Sequence, residues 1–297
     1  MLQLTNEYKL RVINALLEAR KHFDGTDAQF SKKMGINSAI YSRLAKGERE
    51  RLLSDGQLLN IGREFDIMLT ERKWNMARTD VFNMIEEDIL FCKQFSKSRM
   101  CVDDCGIGKT FSAKYLSRTL QNCFYIDASQ AKTKQLFIRL LAKTVGVDSN
   151  GKYSDVKANF KYYIKMIPQP IIIIDEAGDL EYSAFLELKE FWNATEGACG
   201  WYLMGADGLR AKITMGIYHK KEGYKEMFSR YSETYTTLVP IDKNEKVNFY
   251  KKLITDVLSV NMDSKDNLNT IVKRCITSKD DNIGGLRRAE SLLILNS

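Results

Sequence analysis

The sequence predicts an α/β fold with a parallel sheet, preceded by an all-helical segment and followed by a small helical one. Continuous apolar runs alternate with amphipathic stretches between residues 99 and 204, as expected of strands buried on both faces and covered by helices. Before residue 78 and after Pro240, apolar residues recur at helical spacing without strand-like runs. We therefore expect three domains, at residues 1–78, 79–240 and 241–297.

The overall composition sets the class of protein. A chain of 297 residues is long enough for two or three domains, and 45 Lys or Arg against 38 Asp or Glu give a net charge of +7, the sign that suits a phosphate-bearing partner. The six cysteines lack C-x-x-C spacing, which favours reduced thiols. The chain shows no signal peptide and no apolar run of about 20 residues, so we expect a soluble, cytoplasmic protein without a membrane partner.

The N-terminal segment has the layout of a helix-turn-helix between residues 26 and 47. Thr26 or Asp27 can cap a first helix, Gly35 allows a sharp turn, and Asn37 or Ser38 can cap a second helix that ends at Gly47. The pattern resembles the repressor-type helix-turn-helix, with Ser31 where that family usually has alanine. The residues expected on the face that enters a major groove of double-stranded DNA are Asn37, Ser38, Ala39, Tyr41, Ser42, Arg43 and Lys46.

The charge of this segment supports DNA binding. Residues 1–78 hold 14 Lys or Arg against 10 Asp or Glu, a net charge of +4. The alternative is a helical module for protein contacts, in which these cations form a solvated face.

The rest of the chain is divided into elements by its apolar pattern. We expect strands at 99–102, 123–126, 171–174 and 200–204. We expect helices at 79–93, 109–120, 136–145 and 186–192, and, in the C-terminal segment, at 247–258, 266–276 and 285–295.

A phosphate-binding loop is predicted directly after the first strand. Gly106 and Gly108 let backbone N–H groups turn inward at a helix N-terminus, where they favour phosphate oxygens. Lys109 is placed to reach the β- and γ-phosphates of ATP, and Thr110 to offer its hydroxyl to Mg²⁺. The expected nucleotide-contacting residues of the loop are Asp104, Cys105, Gly106, Ile107, Gly108, Lys109, Thr110 and Phe111. Asp103 stands where the pattern has glycine, and its carboxylate would weaken binding unless it points away from the phosphates.

Two carboxylates follow the third strand, about 65 residues after the loop. Asp175 ends the apolar run and is expected to hold Mg²⁺ with Thr110, while Glu176 is placed to deprotonate the attacking water. Both carboxylates and the loop fall at the carboxyl ends of parallel strands, where α/β sheets bind ligands. The combination predicts a magnesium-dependent ATPase.

Two arginines are candidates to stabilise the charge that develops on the γ-phosphate. Arg230 follows the fourth strand at a distance suited to reaching a neighbouring subunit's nucleotide, and Arg287 begins a C-terminal helix and could reach the nucleotide of its own chain. Each could instead be an ordinary surface or salt-bridged arginine. In the ATPases that share these motifs, a polar residue after the fourth strand senses the γ-phosphate or positions water. Ala206 stands at that place here, with Asp207 a possible substitute, and this resemblance implies slow intrinsic hydrolysis.

Together these motifs resemble the AAA+ ATPases: the loop, the acidic strand end, the segment at 205–209, the Arg230 region and the Gly-Gly-Leu-Arg287 helix. With the N-terminal helix-turn-helix and the chain length, the domain order is similar to that of the Mu B family of transposition proteins from transposable phages. This resemblance implies head-to-tail homo-oligomers or helical filaments on DNA with little sequence preference. It also implies delivery of target DNA to a transposase, in a bacterial cell or a phage-infected host.

Three other functions share part of this pattern. A replication initiator or helicase loader would have the same ATPase motifs with a different partner. An ATP-responsive transcriptional switch would use the helix-turn-helix to recognise an operator with a discrete half-site spacing. A signalling or secretion ATPase would not require DNA.

Overall fold

The computed structural model describes residues 4–21, 23, 25–49, 52–65, 67–69, 74–262, 264–276 and 283–295. These residues separate into two units. One consists of the described residues of Met1–Lys73 together with Arg118–Asn122, and the other of Trp74–Ser117 with the described part of Cys123–Ser297. The helices after Pro240 belong to the same unit as the sheet. The domain boundaries near 78 and 240 remain predictions.

The N-terminal unit is helical, as the apolar spacing predicts. Its helices begin at polar caps: the Thr26 side chain accepts a hydrogen bond from the Gln29 amide, and the Asn37 side chain accepts one from Ala39. Gly35, with φ of +68°, makes the turn between the second and third helices in a conformation that favours glycine. The helices are α1 (Asn6–Lys21), α2 (Asp27–Lys33), α3 (Ser38–Ala45) and α4 (Asp55–Glu64).

The second unit, which we call the sheet unit, contains a four-stranded parallel sheet in the order β1-β4-β3-β2. Its strands are β1 (Ser98–Val102), β2 (Cys123–Asp127), β3 (Ile171–Asp175) and β4 (Gly200–Gly205). Every residue of β3 and β4 is buried, which explains why these strands consist almost entirely of apolar residues. The register pairs Val102 with Gly205 and Asp127 with Asp175, so the carboxyl ends of the strands lie along one edge.

Helices connect the strands in the predicted alternation. They are α5 (Asp80–Phe95), α6 (Lys109–Thr119), α7 (Lys134–Val145), α8 (Tyr153–Met166), α9 (Tyr182–Ala194), α10 (Asp207–Tyr218) and α11 (Tyr224–Arg230). The apolar pattern did not indicate α8, α10 or α11. Buried residues of these helices, such as Phe160, Ile213 and Met227, pack in the same core as the strands, through contacts between segments that are distant in the chain.

Three further helices follow Pro240 and have a small core of their own. They are α12 (Lys243–Ser259), α13 (Leu268–Ile276) and α14 (Leu286–Leu295), and we call them the lid. Ile254, Leu258, Ile271 and Leu293 pack together in this core, and Trp74, from the segment before α5, packs against it. Within the described part of the chain, no helix combines the length and apolar character needed to cross a bilayer.

Burial also accounts for the cysteines. Five of the six are buried, Cys105 in the loop is exposed, and none of the six is paired in a disulfide. Burial raises the pKa of the Cys92 and Cys123 thiols to about 12, so both stay protonated and behave as small apolar side chains.

A nearly buried carboxylate joins three helices of the sheet unit. The Glu187 carboxylate in α9 is 2.6 Å from the ammonium groups of both Lys134 in α7 and Lys157 in α8. Burial opposes ionisation of Glu187, but the hydrogen bonds from these two lysines lower its pKa below the usual value. The ionised form therefore stabilises the folded state.

We expect Glu187→Gln to destabilise the sheet unit by about 1–3 kcal/mol at pH 7, because Lys134 loses its carboxylate and Lys157 keeps only that of Glu190. A carboxyl whose pKa is depressed on folding stabilises above its unfolded pKa of about 4.3, and this contribution is lost as the pH falls through the lower folded value. The difference in thermal midpoint from the wild type should thus be full at neutral pH and shrink below about pH 4. Glu196→Gln, at an exposed carboxylate, is the matched control; equal midpoints for Glu187→Gln and wild type at pH 7 would contradict this role.

Candidate nucleotide-binding site

The predicted phosphate loop joins β1 to α6 at the carboxyl edge of the sheet. Gly106 and Gly108 have φ of +74° and +100°, which side chains disfavour, and α6 begins at Lys109. The loop therefore has the backbone conformation that the glycine spacing predicts, and it leads directly into a helix N-terminus. Unsatisfied N–H groups and the helix dipole favour an anion at such a position.

Lys109 lies folded against this loop. Its ammonium group is almost buried and donates to the carbonyl oxygens of Asp103 at 2.8 Å and Asp104 at 2.7 Å. Two neutral carbonyls are weaker partners for an ammonium than a phosphate, because the negative charge of the phosphate adds Coulombic attraction to the hydrogen bond. Lys109 is thus held at the loop in a position from which a phosphate can draw it away.

Thr110 and Asp175 are brought together by the sheet, as the magnesium prediction requires. The Thr110 hydroxyl donates to Oδ2 of Asp175 at 2.7 Å, although 65 residues separate them in sequence. A hydroxyl and a carboxylate are oxygen ligands that Mg²⁺ accepts, and nucleotide sites complete its coordination with phosphates and water. These two residues fit the ion; they would hold it beside the nucleotide.

Glu176 follows Asp175 in the left-handed conformation, with φ of +49°, which is unusual for a residue other than glycine. Its amide donates to Oδ1 of Asp175 at 3.0 Å, and its side chain is exposed. Although the side chain is exposed, the surrounding protein displaces part of the water around its carboxyl group. This desolvation, followed by the neighbouring Asp175 and Asp179 carboxylates, raises the pKa of Glu176. The residue is placed to accept a proton from water at the sheet edge.

The Asp103 side chain points away from the loop interior, the orientation in which its carboxylate does not weaken phosphate binding. The side chain is buried and accepts hydrogen bonds from the amides of Asp104 at 2.8 Å, Leu238 at 2.6 Å and Val239 at 3.2 Å. It therefore connects the start of the loop to the chain that leads into the lid. Because three amides already donate to this carboxylate, it does not take the hydrogen-bond donors that would bind phosphate oxygens.

The side chain of Asp104 contacts the lid. Its carboxylate accepts a hydrogen bond from the Tyr250 hydroxyl at 2.9 Å and pairs with the Lys246 ammonium at 2.6 Å, both in α12. Partial burial would raise the pKa of Asp104, but the bonds from Lys246 and Tyr250 lower it, so the carboxylate stays charged. Because the Asp104 side chain is engaged by α12, its predicted contact with nucleotide would have to come from its backbone.

The N-terminus of α14 lies directly on the phosphate loop. The Leu286 amide donates to the Gly106 carbonyl at 2.8 Å, and a Cβ on Gly285 would lie 2.7 Å from the same oxygen. Only glycine permits this close approach at position 285. Arg287 follows Leu286 in α14 and is exposed. The structure thus places this predicted arginine in the helix turn nearest to the loop.

Arg230 lies away from this edge of the sheet. Its side chain donates to Asn193 at 2.8 Å and stacks over the Trp192 ring, at the end of α9. Trp192 in turn donates to Ser98, the first residue of β1, which marks the amino end of the strands. Arg230 is therefore not part of its own chain's loop site, and its predicted role across a subunit interface stays a prediction.

The remaining predicted nucleotide contacts vary in exposure. Ile107 is buried, whereas Cys105 and Phe111 are exposed on the loop and the start of α6. Asp207 begins α10, its side chain is 84% exposed, and it lies 3.7 Å from Arg210. Its predicted role as a substitute for the missing polar residue stays a prediction.

Six of the seven residues predicted to face DNA lie on the surface of the N-terminal unit. Asn37, Ser38, Ser42, Arg43 and Lys46 are exposed, as is Ala39 beside them, and Arg43 pairs with the exposed Glu48 at 2.7 Å. Tyr41 corrects the prediction: it is 3% exposed, and its ring packs edge-to-face on Phe30 in the core. Tyr41 and the buried Leu44 are three residues apart, a core spacing that shows which face of α3 is turned inward.

Tyr125 also belongs to the site, and no sequence motif indicates it. Tyr125 in β2 donates its hydroxyl to Oδ2 of Asp175 at 3.0 Å. The sequence shows Tyr125 only as one aromatic residue of an apolar strand. A signal for its role would have required the strand order, because β2 and β3 are neighbours only in the folded sheet.

Comparisons with known proteins agree with this geometry. A protein-family model described as AAA domain matches residues 99–213, which include the loop, Asp175 and Glu176. Over this segment the chain is therefore similar to an AAA domain, and its parallel sheet with the phosphate loop has the P-loop fold of AAA+ proteins.

Among solved structures, NtrX from Brucella abortus in complex with ATP is similar at 16% identity and a TM-score of 0.44. The similarity covers 86% of this chain and 59% of the NtrX chain, so the chain spans less than two thirds of that chain's length. No curated protein matches the sequence.

Proposed function

We propose that this protein is a magnesium-dependent ATPase that binds double-stranded DNA, assembles head to tail, and acts as a target-delivering factor in DNA transposition, as in the Mu B family. The observation that carries the ATPase part is the junction of the loop, Thr110, Asp175 and Glu176 at one edge of the sheet of an AAA domain. The DNA-binding part of the proposal depends on the exposed cations Arg43 and Lys46, and the transposase part depends on the domain order.

Each residue has a defined role in the proposed hydrolysis. The glycine-bearing loop and Lys109 bind the phosphates, and Thr110 with Asp175 holds Mg²⁺, which supplies positive charge to the phosphoryl oxygens. Glu176 accepts the proton of the attacking water. Arg287 is placed beside the loop by α14, while Arg230 would have to act on a neighbouring subunit because it lies at the other end of the strands.

Nucleotide state can be transmitted to the rest of the protein through the lid. The lid region contacts the loop by three routes: Asp103 to the chain at 238–239, Asp104 to α12, and Gly106 to α14. A phosphate that moves the loop would move these contacts with it. This coupling supports the proposal that ATP governs self-association.

The surface of α3 supports DNA rather than protein as the partner of the N-terminal unit. Arg43 in α3 and Lys46 directly after the helix are both exposed, together with the small polar side chains of Ser38 and Ser42. The Arg43–Glu48 pair is more than half exposed at Arg43, and such pairs contribute little, so Arg43 can exchange Glu48 for a phosphate at small cost.

The proposal predicts that DNA binding needs both ATP and the cations Arg43 and Lys46. The double variant Arg43→Ala/Lys46→Ala should bind DNA more weakly. The slope of log affinity against log salt should become shallower by about 2, since each lost phosphate contact removes about 0.9. Fluorescence anisotropy of labelled duplexes, with and without a non-hydrolysable ATP analogue, measures both effects. Lys21→Ala/Arg63→Ala removes the same charge from other exposed positions of this unit and should leave binding nearly unchanged.

The same assay separates the proposal from its rivals. Equal affinity for unrelated duplexes, with ATP-dependent assemblies visible by electron microscopy, is the expected result. A footprint on one sequence with a fixed half-site spacing would instead establish a transcriptional switch. ATP-dependent loading of a helicase would favour a replication role, and the absence of any DNA binding would exclude all three DNA functions.

A further inference from the structure

The hydroxyl of Tyr125 is directed at the carboxylate proposed to hold Mg²⁺. Tyr125 lies opposite Ile173 in the register of β2 and β3, two residues before Asp175. Side chains two residues apart on adjacent strands share a face, so the long phenol can reach along the sheet. It donates to Oδ2 of Asp175 at 3.0 Å.

Asp175 is held by donors from three different elements. Oδ2 accepts hydrogen bonds from Thr110 in α6 and Tyr125 in β2, and Oδ1 accepts from the Glu176 amide in the turn after β3. The residue is only 2% exposed, so water has little access to replace a missing donor. Unmade hydrogen bonds are costly for a buried carboxylate, and its orientation depends on these three partners.

The three donors are not equivalent once a metal ion is bound. Thr110 is itself a proposed metal ligand, and the Glu176 amide belongs to the turn that carries the proposed general base. Tyr125 alone comes from outside the reacting groups. Such an outer partner orients a metal-binding carboxylate, and its loss typically costs about 10- to 100-fold in metal affinity or activity.

We propose that Tyr125 is a positioning residue of the ATPase: its hydroxyl holds the Asp175 carboxylate in the orientation in which Asp175 and Thr110 together receive the magnesium ion of MgATP. This inference depends on the proposed function, because it concerns the same site. Tyr125 itself does not touch the nucleotide; it acts through Asp175.

Tyr125→Phe separates this role from packing. The substitution keeps the half-buried ring and its contact with the Lys114 ammonium, 5.7 Å from the ring centroid, and removes only the hydroxyl. A role in packing alone predicts that phenylalanine behaves like tyrosine. The positioning role predicts a defect confined to the metal.

The experiment compares ATP binding by the full chain, with excess EDTA and over a range of free Mg²⁺, by isothermal titration calorimetry. For Tyr125→Phe we expect unchanged ATP affinity in EDTA, and a half-saturating Mg²⁺ concentration at least tenfold higher than that of the wild type. ATP hydrolysis should fall at limiting Mg²⁺ and recover towards the wild-type rate at saturating Mg²⁺. Tyr162→Phe, which removes an exposed hydroxyl from α8, is the matched control.

Two results would overturn the inference while leaving the proposed function intact. One is an unchanged Mg²⁺ requirement in Tyr125→Phe. The other is a loss of metal-free ATP affinity together with a lower thermal midpoint, which would assign Tyr125 to packing. Failure of the wild type to bind ATP at any Mg²⁺ concentration would instead remove the proposed function itself.

Discussion

Replacement of Lys109 by alanine is expected to abolish ATP binding at micromolar nucleotide and, with it, ATP-dependent assembly on DNA. Lys109 is the ammonium group of the loop, held there by the carbonyls of residues 103 and 104. Removing one partner of a buried charge pair costs about 2–5 kcal/mol, which corresponds to a loss of roughly 30- to several-thousand-fold in affinity. Calorimetry with ATP and Mg²⁺ measures this loss directly.

The control for this variant is Lys165→Ala, which removes an exposed lysine from the end of α8. It should bind ATP as the wild type does. The thermal midpoint of Lys109→Ala must also be compared with that of the wild type, because its loss leaves two loop carbonyls without their ammonium donor. Wild-type ATP affinity in Lys109→Ala would refute the assignment of the loop.

The second large effect is expected for Glu176→Gln. The variant should bind ATP normally and lose about 10²- to 10⁴-fold in hydrolysis, the usual contribution of a general base. Glutamine has the same shape and meets the same backbone strain at φ of +49°, so the turn should be preserved. With binding intact and hydrolysis blocked, the DNA-bound assembly should accumulate. Single-turnover hydrolysis and the lifetime of the complex with DNA give the two readouts.

The control for Glu176→Gln is Asp179→Asn, three residues further on. The Asp179 carboxylate is exposed and pairs with Lys132 at 2.7 Å, so it shares the neighbourhood but not the proposed role. It should hydrolyse ATP at nearly the wild-type rate. If Glu176→Gln turns over as fast as Asp179→Asn, another residue must activate the water.

Both experiments concern residues that local sequence patterns made visible. Gly106, Gly108 and Lys109 are neighbours in the chain, and the backbone freedom of glycine acts at the position where it occurs. The run Ile171–Ile174 is also a local pattern. It predicted a buried strand because a strand covered on both faces admits only apolar side chains. Helix caps such as Thr26 and Asn37 also act within two or three residues.

The roles of Asp103 and Tyr41 were not visible in this way. The sequence shows Asp103 as a departure from the loop pattern, yet its carboxylate binds amides 135 residues away, which turns a suspected defect into a connection with the lid. Tyr41 was expected to face DNA but packs on Phe30. A tyrosine suits either environment, since it has a large apolar ring with a polar tip.

For this protein, the sequence alone determined the four strands and most of the helices, the phosphate loop and the carboxylates that end the third strand. Each of these is set by residues close together in the chain, through backbone conformation and side-chain periodicity. Only the tertiary structure decided the strand order β1-β4-β3-β2, and with it the meeting of Thr110, Tyr125 and Asp175 and the separation of Arg230 from the loop. These contacts join distant segments, and they form when apolar faces are buried together, a choice that no local pattern contains.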